Sequence, residues 1–566
     1  RNFSTMMEKF LTFDQHPPEY KAKYEKAHIY RDFREMLERE KSLEAITVST
    51  PDHTHAVIAM MAMKMGKHVF VQKPLTHTVK EARLLRLEAQ KRNLITQMGN
   101  QGHAKEGARL VCEWIWDGAI GHWNKPFPEG APTAQQVWEE ETGIKLEFIG
   151  VPPAESFQKA IQDITTKAGQ FDLYTFGFQE MGDLVEAGAL LKLDEFVEKH
   201  KPEWTDPKVG YVGGATTVEL FNKYAGSYYA VSFDGDWQIW IYRKDLFEDP
   251  KEQRAFRERY GWDLQWPETW EQLDQIAEFF HRPDQGLVGI TDLRNPFWGF
   301  TNWIQRYVSF ADPNQMYFDE NTAKPLIDSE AGVKATEEYV NATKWHSPDF
   351  LTWGWPEQYP HFAEGGAAIT CAFPNMPKFL DNPNGPWGGK MVGKLASGIS
   401  PGRIINGKLI RRSVVWPNNQ NVVSALSKYP EVAYLLLQWG GGGRIFSWMV
   451  GNPAGYYDPF QETDLRDPLV TESYKPYQIA TIRETIKRTV PPITLAGQNE
   501  YVNVALDQNL QAALTKQKSP EQAMKDVAAA WEQITNKIGR EKQIAALKAQ
   551  KKAWPTVVDT PKIKVG

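Results

Sequence analysis

The sequence predicts an α/β protein built as two unequal segments. Three observations lead there: 566 residues exceed one compact core, β-branched runs alternate with helical periods in the first quarter, and a proline-rich stretch breaks that alternation near residue 125. A hydrophobic fraction of 42% and a charged fraction of 24% describe an ordinary folded chain. The net charge of −6 lacks the basic footprint that holds phosphates, so nucleic acid is not an expected partner. No apolar run approaches the roughly 20 residues that span a bilayer, and a membrane-spanning chain is not expected. Cys112 and Cys371 stand far apart and offer neither a disulfide framework nor a metal knuckle. The chain opens at Arg1 without a basic, apolar, small-residue leader, so an export signal is expected to be absent or lost.

From Tyr30 to Asp117 the alternation marks βαβ units and a parallel sheet. Glu44-Ala-Ile-Thr-Val-Ser reads as a buried strand. Thr54 to Met65 follows as a helix that Gly66 ends, and Lys67-His-Val-Phe-Val-Gln is the next strand, stopped by Pro74. Thr78 to Arg92 is a helix with a charged outer face, Leu94-Ile-Thr-Gln-Met a third strand and Ala104 to Asp117 a third helix; Asn2 to Lys26 is helical and polar. The residues that close these strands gather at one sheet edge, where open α/β sheets bind ligands. They are Ser49-Thr-Pro-Asp-His-Thr-His, Gln72-Lys-Pro-Leu and Gln97-Met-Gly-Asn-Gln-Gly-His.

These strand ends resemble the cofactor domain of the Gfo/Idh/MocA oxidoreductases, densely from about Arg31 to Gly121. The resemblance implies a partial Rossmann-like domain over residues 1–125, in which Ser49, Thr50, Pro51 and His53 border a nicotinamide dinucleotide and Asn100 lies near its nicotinamide end. Lys73 matches the lysine of the family's Glu-Lys-Pro signature, with Gln72 replacing the glutamate, which implies a catalytic place beside the reacting hydroxyl. A fixed positive charge there stabilises negative charge developing on a substrate oxygen. A plain strand cap is the other reading of Lys73. His53 and His55 have a metal-like spacing but no third ligand near them, so the expectation is a hydrogen-bonding loop and no metal. The chain nowhere carries Gly-x-Gly-x-x-Gly, the turn that lets a pyrophosphate reach a helix N-terminus. The chain is therefore expected to enter this domain after its first βαβ unit, an expectation that leaves the edge at Ala45 to Ser49 open. A vestigial site, no dehydrogenase turnover and no bound NAD(P) are expected.

Residues 121–133 form the seam, where His-Trp-Asn-Lys-Pro-Phe-Pro-Glu-Gly-Ala-Pro cannot continue a helix. Beyond it, a helix at Thr133 to Glu141 leads through Glu139-Glu-Glu-Thr-Gly-Ile-Lys-Leu-Glu-Phe, a helix-turn-strand pattern. Phe171-Asp-Leu-Tyr, Leu190-Leu-Lys-Leu-Asp-Glu-Phe, Tyr229-Ala-Val-Ser-Phe-Asp-Gly-Asp-Trp-Gln-Ile-Trp-Ile-Tyr-Arg-Lys-Asp-Leu-Phe and Pro267-Glu-Thr-Trp-Glu-Gln-Leu follow in order. This series resembles the extracellular solute-binding proteins (family 1, sugar and polyol) that serve ABC importers, over about residues 134–551. The resemblance implies a two-lobed, type II periplasmic-binding-protein-like domain at 134–566, with the solute between lobes joined by crossing segments, and a periplasmic or extracellular location. Here too the family's opening strand is expected to be missing ahead of the first helix.

The residues agree with a sugar site, which needs flat aromatic faces and fixed hydroxyl partners. Asp234 and Asp236 bracket Gly235 just before Trp237, placing two acceptors and an indole at a strand end; a tight turn with solvated aspartates is the plainer alternative. Of 21 tryptophans, the platform candidates are Trp298, Trp303, Trp353, Trp355, Trp387 and Trp416, and loop tryptophans beside glycine or proline are the stronger ones among them. Asn418, with Asn419 and Asn421, offers amides to hydroxyls or caps a turn. Trp270, Trp439 and Trp531 fall on helical periods and read as packing residues, and Cys371 as a small core residue in the strand after Gly365-Gly.

The function expected is the substrate-binding component of an ABC importer for a sugar, polyol or related small polar solute, joined to an inactive oxidoreductase remnant in a chimera-like chain. Two alternatives stand beside it: an NAD(P)-dependent sugar dehydrogenase whose second segment modifies substrate capture, and a joined reading frame with no function.

Overall fold

A computed structural model of the chain describes residues 28–99 and 132–563, apart from 151–152, 207, 311–315, 384, 386, 388, 417–418, 454 and 492. The helices expected at 2–26 and 104–117, Asn100, Cys112, nearly all of the seam and Asn418 lie outside these residues. The chain divides into two compact units, Arg1–Glu113 and Trp114–Gly566.

In the first unit, β1 (Ala45–Val48), β2 (His68–Gln72) and β3 (Thr96–Gly99) form a parallel sheet in that order, with Ala45 opposite His68 and Val69 opposite Thr96. Strand alternation sends Ile46, Val48, Val69 and Val71 to one face, where they meet Ile58, Ala59, Ala62 and Met63 of helix His55–Lys64. Helix Val79–Arg92 starts where Thr78 and Glu81 exchange capping hydrogen bonds and stops at Asn93 in the left-handed region. Among the described residues β1 has no neighbour on its outer side.

The second unit holds two main sheets. One has the order β4-β15-β7, with β15 (Asn419–Val423) antiparallel to both β4 (Leu173–Gly177) and β7 (Ala230–Ser232). The other has the order β11-β8-β10-β9, formed by β8 (Ile239–Arg243), β9 (Val288–Thr291), β10 (Ala367–Ala372) and β11 (Leu395–Gly398). Every residue of β10 is buried, which is why Ala-Ala-Ile-Thr-Cys-Ala lacks alternation; helices and loops cover both faces. Cys371 is therefore core, and burial pushes its thiol well above the usual range. Short strands β5 (Lys223–Tyr224) and β6 (Ser227–Tyr228) make a hairpin, as do β12 (Gly402–Ile405) and β13 (Lys408–Arg411), while β14 (Ser413–Val414) pairs with β16 (Thr489–Val490).

A layer of helices, Phe300–Phe310, Glu330–Asn341, Asp507–Leu514 and Pro520–Ile538, encloses a third core around Trp303, Tyr307, Trp416 and Trp531. Trp270 and Trp531 are fully buried. The glycines after Leu437 separate helix Pro430–Gly440 from helix Gly443–Gly451.

One expected strand is absent. Thr133 caps helix Ala134–Thr142 and Gly143 ends it, but 144–148 forms no strand, and Ile144, Phe148 and Ile149 are exposed. Among the described residues this segment pairs with no strand. The backbone of Leu146 instead bonds to the preceding helix: its N–H donates to Glu139 Oε1 at 2.9 Å, and its carbonyl accepts from Gln135 Nε2 at 3.0 Å.

Candidate functional site

The chain passes between the two sheets where β7 leads through Phe233–Gln238 into β8, and again between β11 and β15 by way of β14, whose next residue, Val415, bridges to Trp237. A third stretch, Tyr456–Gln461, lies against the first. The carbonyls of Asp458 and Pro459 come within 2.9 and 2.8 Å of where a Cβ on Gly235 would stand. Only glycine fits between the two aspartates.

Asp234 gathers the three stretches. Its Oδ1 accepts from the N–H groups of Gly235 at 2.8 Å and Asp458 at 2.9 Å, and its Oδ2 from Asn419 Nδ2 at 3.1 Å. Asp458 accepts from the Tyr474 hydroxyl at 2.7 Å and from Asn375 Nδ2 at 3.2 Å. Oxygens of Asp234, Asp236 and Asp458 all lie within 4.8 Å of one another, and all three residues are buried. Lys378, fully buried, donates to the carbonyls of Val450 at 3.2 Å and Tyr457 at 3.4 Å and supplies the nearby positive charge. Burial pushes the Asp234 carboxyl up to about 7, against the hydrogen bonds it accepts, and pushes Asp458 well above the carboxylate range. Burial likewise pushes the Lys378 ammonium down to about 8, against the pull of Asp458 and Asp234.

Beside the carboxylates runs an aromatic wall. Trp298, Trp355, Trp387 and Tyr456 are all half-buried and pack on one core around Phe373 and Phe379. Ring centroids lie 5.6 Å apart for Trp355 and Tyr456, 4.9 Å for Tyr456 and Phe379, 5.6 Å for Phe379 and Trp387, and 6.0 Å for Trp298 and Phe373. Asn375 ties this wall to the carboxylates, because its Nδ2 donates to the Tyr456 carbonyl at 2.7 Å as well as to Asp458.

The remaining platform candidates lie elsewhere. Trp303 is wholly interior: it stacks on Tyr307 at 4.8 Å, and its Nε1 donates to Thr336 Oγ1 at 2.8 Å, so neither face meets solvent. Trp416 is equally buried against Phe300. Trp237 packs edge-on to Phe221 in the core around the first sheet. These three rings are corrected from platforms to packing residues: Trp303 faces inward from helix Phe300–Phe310, and the sequence around Trp237 and Trp416 says nothing about which way a ring turns. Trp353 is half-buried and meets His361 at 4.7 Å, apart from the wall. Asp458, Asn375, Lys378 and Tyr456 belong to the site but carry no sequence signal near Asp234. A small depression of about 20 Å³ lined by Glu219, Tyr224, Gly226 and Ala549 holds no more than a water and is built from other elements.

In the first unit Ser49, Thr50, Pro51, His53 and Lys73 are exposed at the strand ends. His55 is buried, with ring nitrogens 2.7 Å from the carbonyls of Thr50 and Pro74, so it fastens the two loops instead of facing a ligand. The helix after β1 is entered through Pro51 and the short turn Asp52–Thr54. Among the described residues no glycine turn completes a dinucleotide cradle.

Two sheets joined by crossing stretches, with buried carboxylates and half-buried rings near the joint, define a two-lobed binding protein of the type II periplasmic class. Residues 122–439 match the bacterial extracellular solute-binding proteins, and the chain belongs to that family. Residues 6–100 match the oxidoreductase family with an NAD-binding Rossmann fold. A probable amino-acid ABC transporter periplasmic-binding protein of Sinorhizobium fredii is 22% identical over 73% of this chain and 87% of its own. The mannitol-binding protein of Pseudomonas aeruginosa is 28% identical over 41% of this chain, which spans 49% of that protein. A solute-binding protein from Agrobacterium radiobacter, solved with ribitol, shares the fold with a TM-score of 0.57 at 19% identity, covering 70% of this chain and 94% of that one. Among the described residues no helix is long and apolar enough to cross a membrane.

Proposed function

We propose that the second unit binds a neutral sugar or polyol between its lobes and delivers it to the membrane subunits of an ABC importer, acting in the periplasm or outside the cell. The observation that carries this reading is the wall of Trp298, Trp355, Trp387 and Tyr456 set beside Asp234, Asp236 and Asp458. Rings offer flat faces to C–H groups, and buried carboxyls pair with hydroxyls. The mannitol of the Pseudomonas relative and the ribitol of the Agrobacterium structure are of this chemistry. An anionic solute would bring a further charge into a site whose burial already pushes the Asp234 and Asp458 carboxyls toward their neutral form, so sugar acids and amino-acid carboxylates are disfavoured. The test is tryptophan fluorescence against mannitol, ribitol, glucose, maltose, gluconate and a neutral amino acid. Saturable responses confined to neutral polyhydroxy compounds are expected; no response to any of them would end the reading.

For residues 1–125 the reading is an oxidoreductase remnant that does not turn over substrate. Its support is that no glycine turn completes a dinucleotide cradle among the described residues. Titration with NADH and NADPH is expected to give no saturable signal, and a clear one favours the dehydrogenase reading.

A further inference from the structure

Trp298 reaches the aromatic wall from an unusual loop. Phe297, immediately before it, holds a φ of +74°, a conformation that a bulky side chain adopts only when its surroundings impose it. The surroundings here are specific. The Phe297 N–H donates to Asp507 Oδ2 at 2.8 Å, and the carbonyl of Arg294 accepts from Gln511 Nε2 at 2.8 Å. Asp507 and Gln511 stand one turn apart on helix Asp507–Leu514, so one helix face holds both ends of the stretch 294–297. That helix continues directly from a π-helical segment, Asn499–Leu506, a wide turn found mostly where local geometry serves a site.

Other contacts complete the fastening. The Tyr339 hydroxyl donates to the Gly299 carbonyl at 2.8 Å, and a Cβ on Gly299 would stand 2.8 Å from the backbone of Arg294, so the loop closes tightly on itself. Phe297 meets Trp298 edge-on at 5.2 Å and Trp416 at 5.7 Å, so its unusual backbone sets the angle at which Trp298 leaves the core. Asp507 is buried, and its second oxygen, Oδ1, has no partner among the described residues. Helix packing alone would be met by an apolar side chain at that position.

We infer that Asp507 is a positioning residue for the solute site, holding Phe297 and thereby turning Trp298 into the aromatic wall. The inference rests on the reading of that wall as the sugar or polyol site. It makes a helix more than 200 residues further along the chain a determinant of solute affinity.

The experiment compares Asp507→Ala, Asp507→Asn and Gln511→Ala in the full chain. It records the Trp298 indole N–H resonance, assigned by its loss in Trp298→Phe, and affinity for whichever sugar or polyol the wild type binds. Asp507→Ala is expected to shift that resonance and to weaken binding about tenfold, the scale of one hydrogen bond to a charged group. Asp507→Asn, which keeps an acceptor oxygen, is expected to restore most of both. Gln511→Ala is expected to move the resonance in the same direction by less, and it reads the same loop if Asp507→Ala does not fold. An unmoved Trp298 resonance in Asp507→Ala, or in Gln511→Ala where it alone folds, overturns the inference. A moved resonance with unchanged affinity overturns it too. If the wild type binds no member of the panel, the functional reading fails, while the resonance still decides whether Asp507 sets the ring.

Discussion

At Gly235 the backbone carbonyls of two other residues occupy the space a methyl group would need. Gly235→Ala is therefore expected to lower stability by about 1–3 kcal/mol, the cost of overpacking, as read from urea melts. Two tryptophans separate packing from binding. Trp303→Ala empties a core position and is expected to cost about 3–5 kcal/mol. Trp355→Ala, at the half-buried wall, is expected to leave the melt near its wild-type position and to weaken solute titrations about tenfold. Equal effects of the two substitutions on binding would mean that the wall is not the site. Asp234 and Asp236 were legible in the sequence because they flank a glycine at the end of an apolar run. Asp458 was not, since 224 positions separate it from Asp234 and only the folded chain sets them side by side.

Helices and strands were legible wherever local chemistry agrees with packing. Thr78 with Glu81 and Thr133 with Gln136 each begin a helix close to where the sequence places it, and Ser519 caps helix Pro520–Ile538 by accepting from the Gln522 N–H. Ser519→Ala is expected to lower stability by about 1 kcal/mol through loss of the N-cap, measured by thermal denaturation. The segment 144–148 shows where local pattern is insufficient. Ile-Lys-Leu-Glu-Phe alternates as a strand should, yet a strand needs a partner ladder, and β4 pairs only with β15 among the described residues. Tryptophan orientation was likewise illegible, because loop composition places a residue near the surface of the chain path without saying which side of the path its ring takes.

Across the second unit, burial drives several acids upward: Asp234 and Asp464 to about 7, Asp507 to about 6 and Glu180 to about 8. The folded chain then binds more protons than the unfolded chain between about pH 4 and pH 7 to 8, so stability falls as pH rises through that window. Lys378, driven down to about 8, acts oppositely between about pH 8 and its ordinary value, where stability is regained as pH rises. Urea unfolding at pH 5.5 and 7.5 is expected to give the larger free energy at the lower pH, and the reverse order would contradict the burial of these acids. The carboxyl of Asp234 has a mechanical consequence as well. Because the N–H groups of Gly235 and Asp458 and the amide of Asn419 converge on that one side chain, three separate passages of the chain are pinned to a single point, and loss of that carboxyl would release all three together.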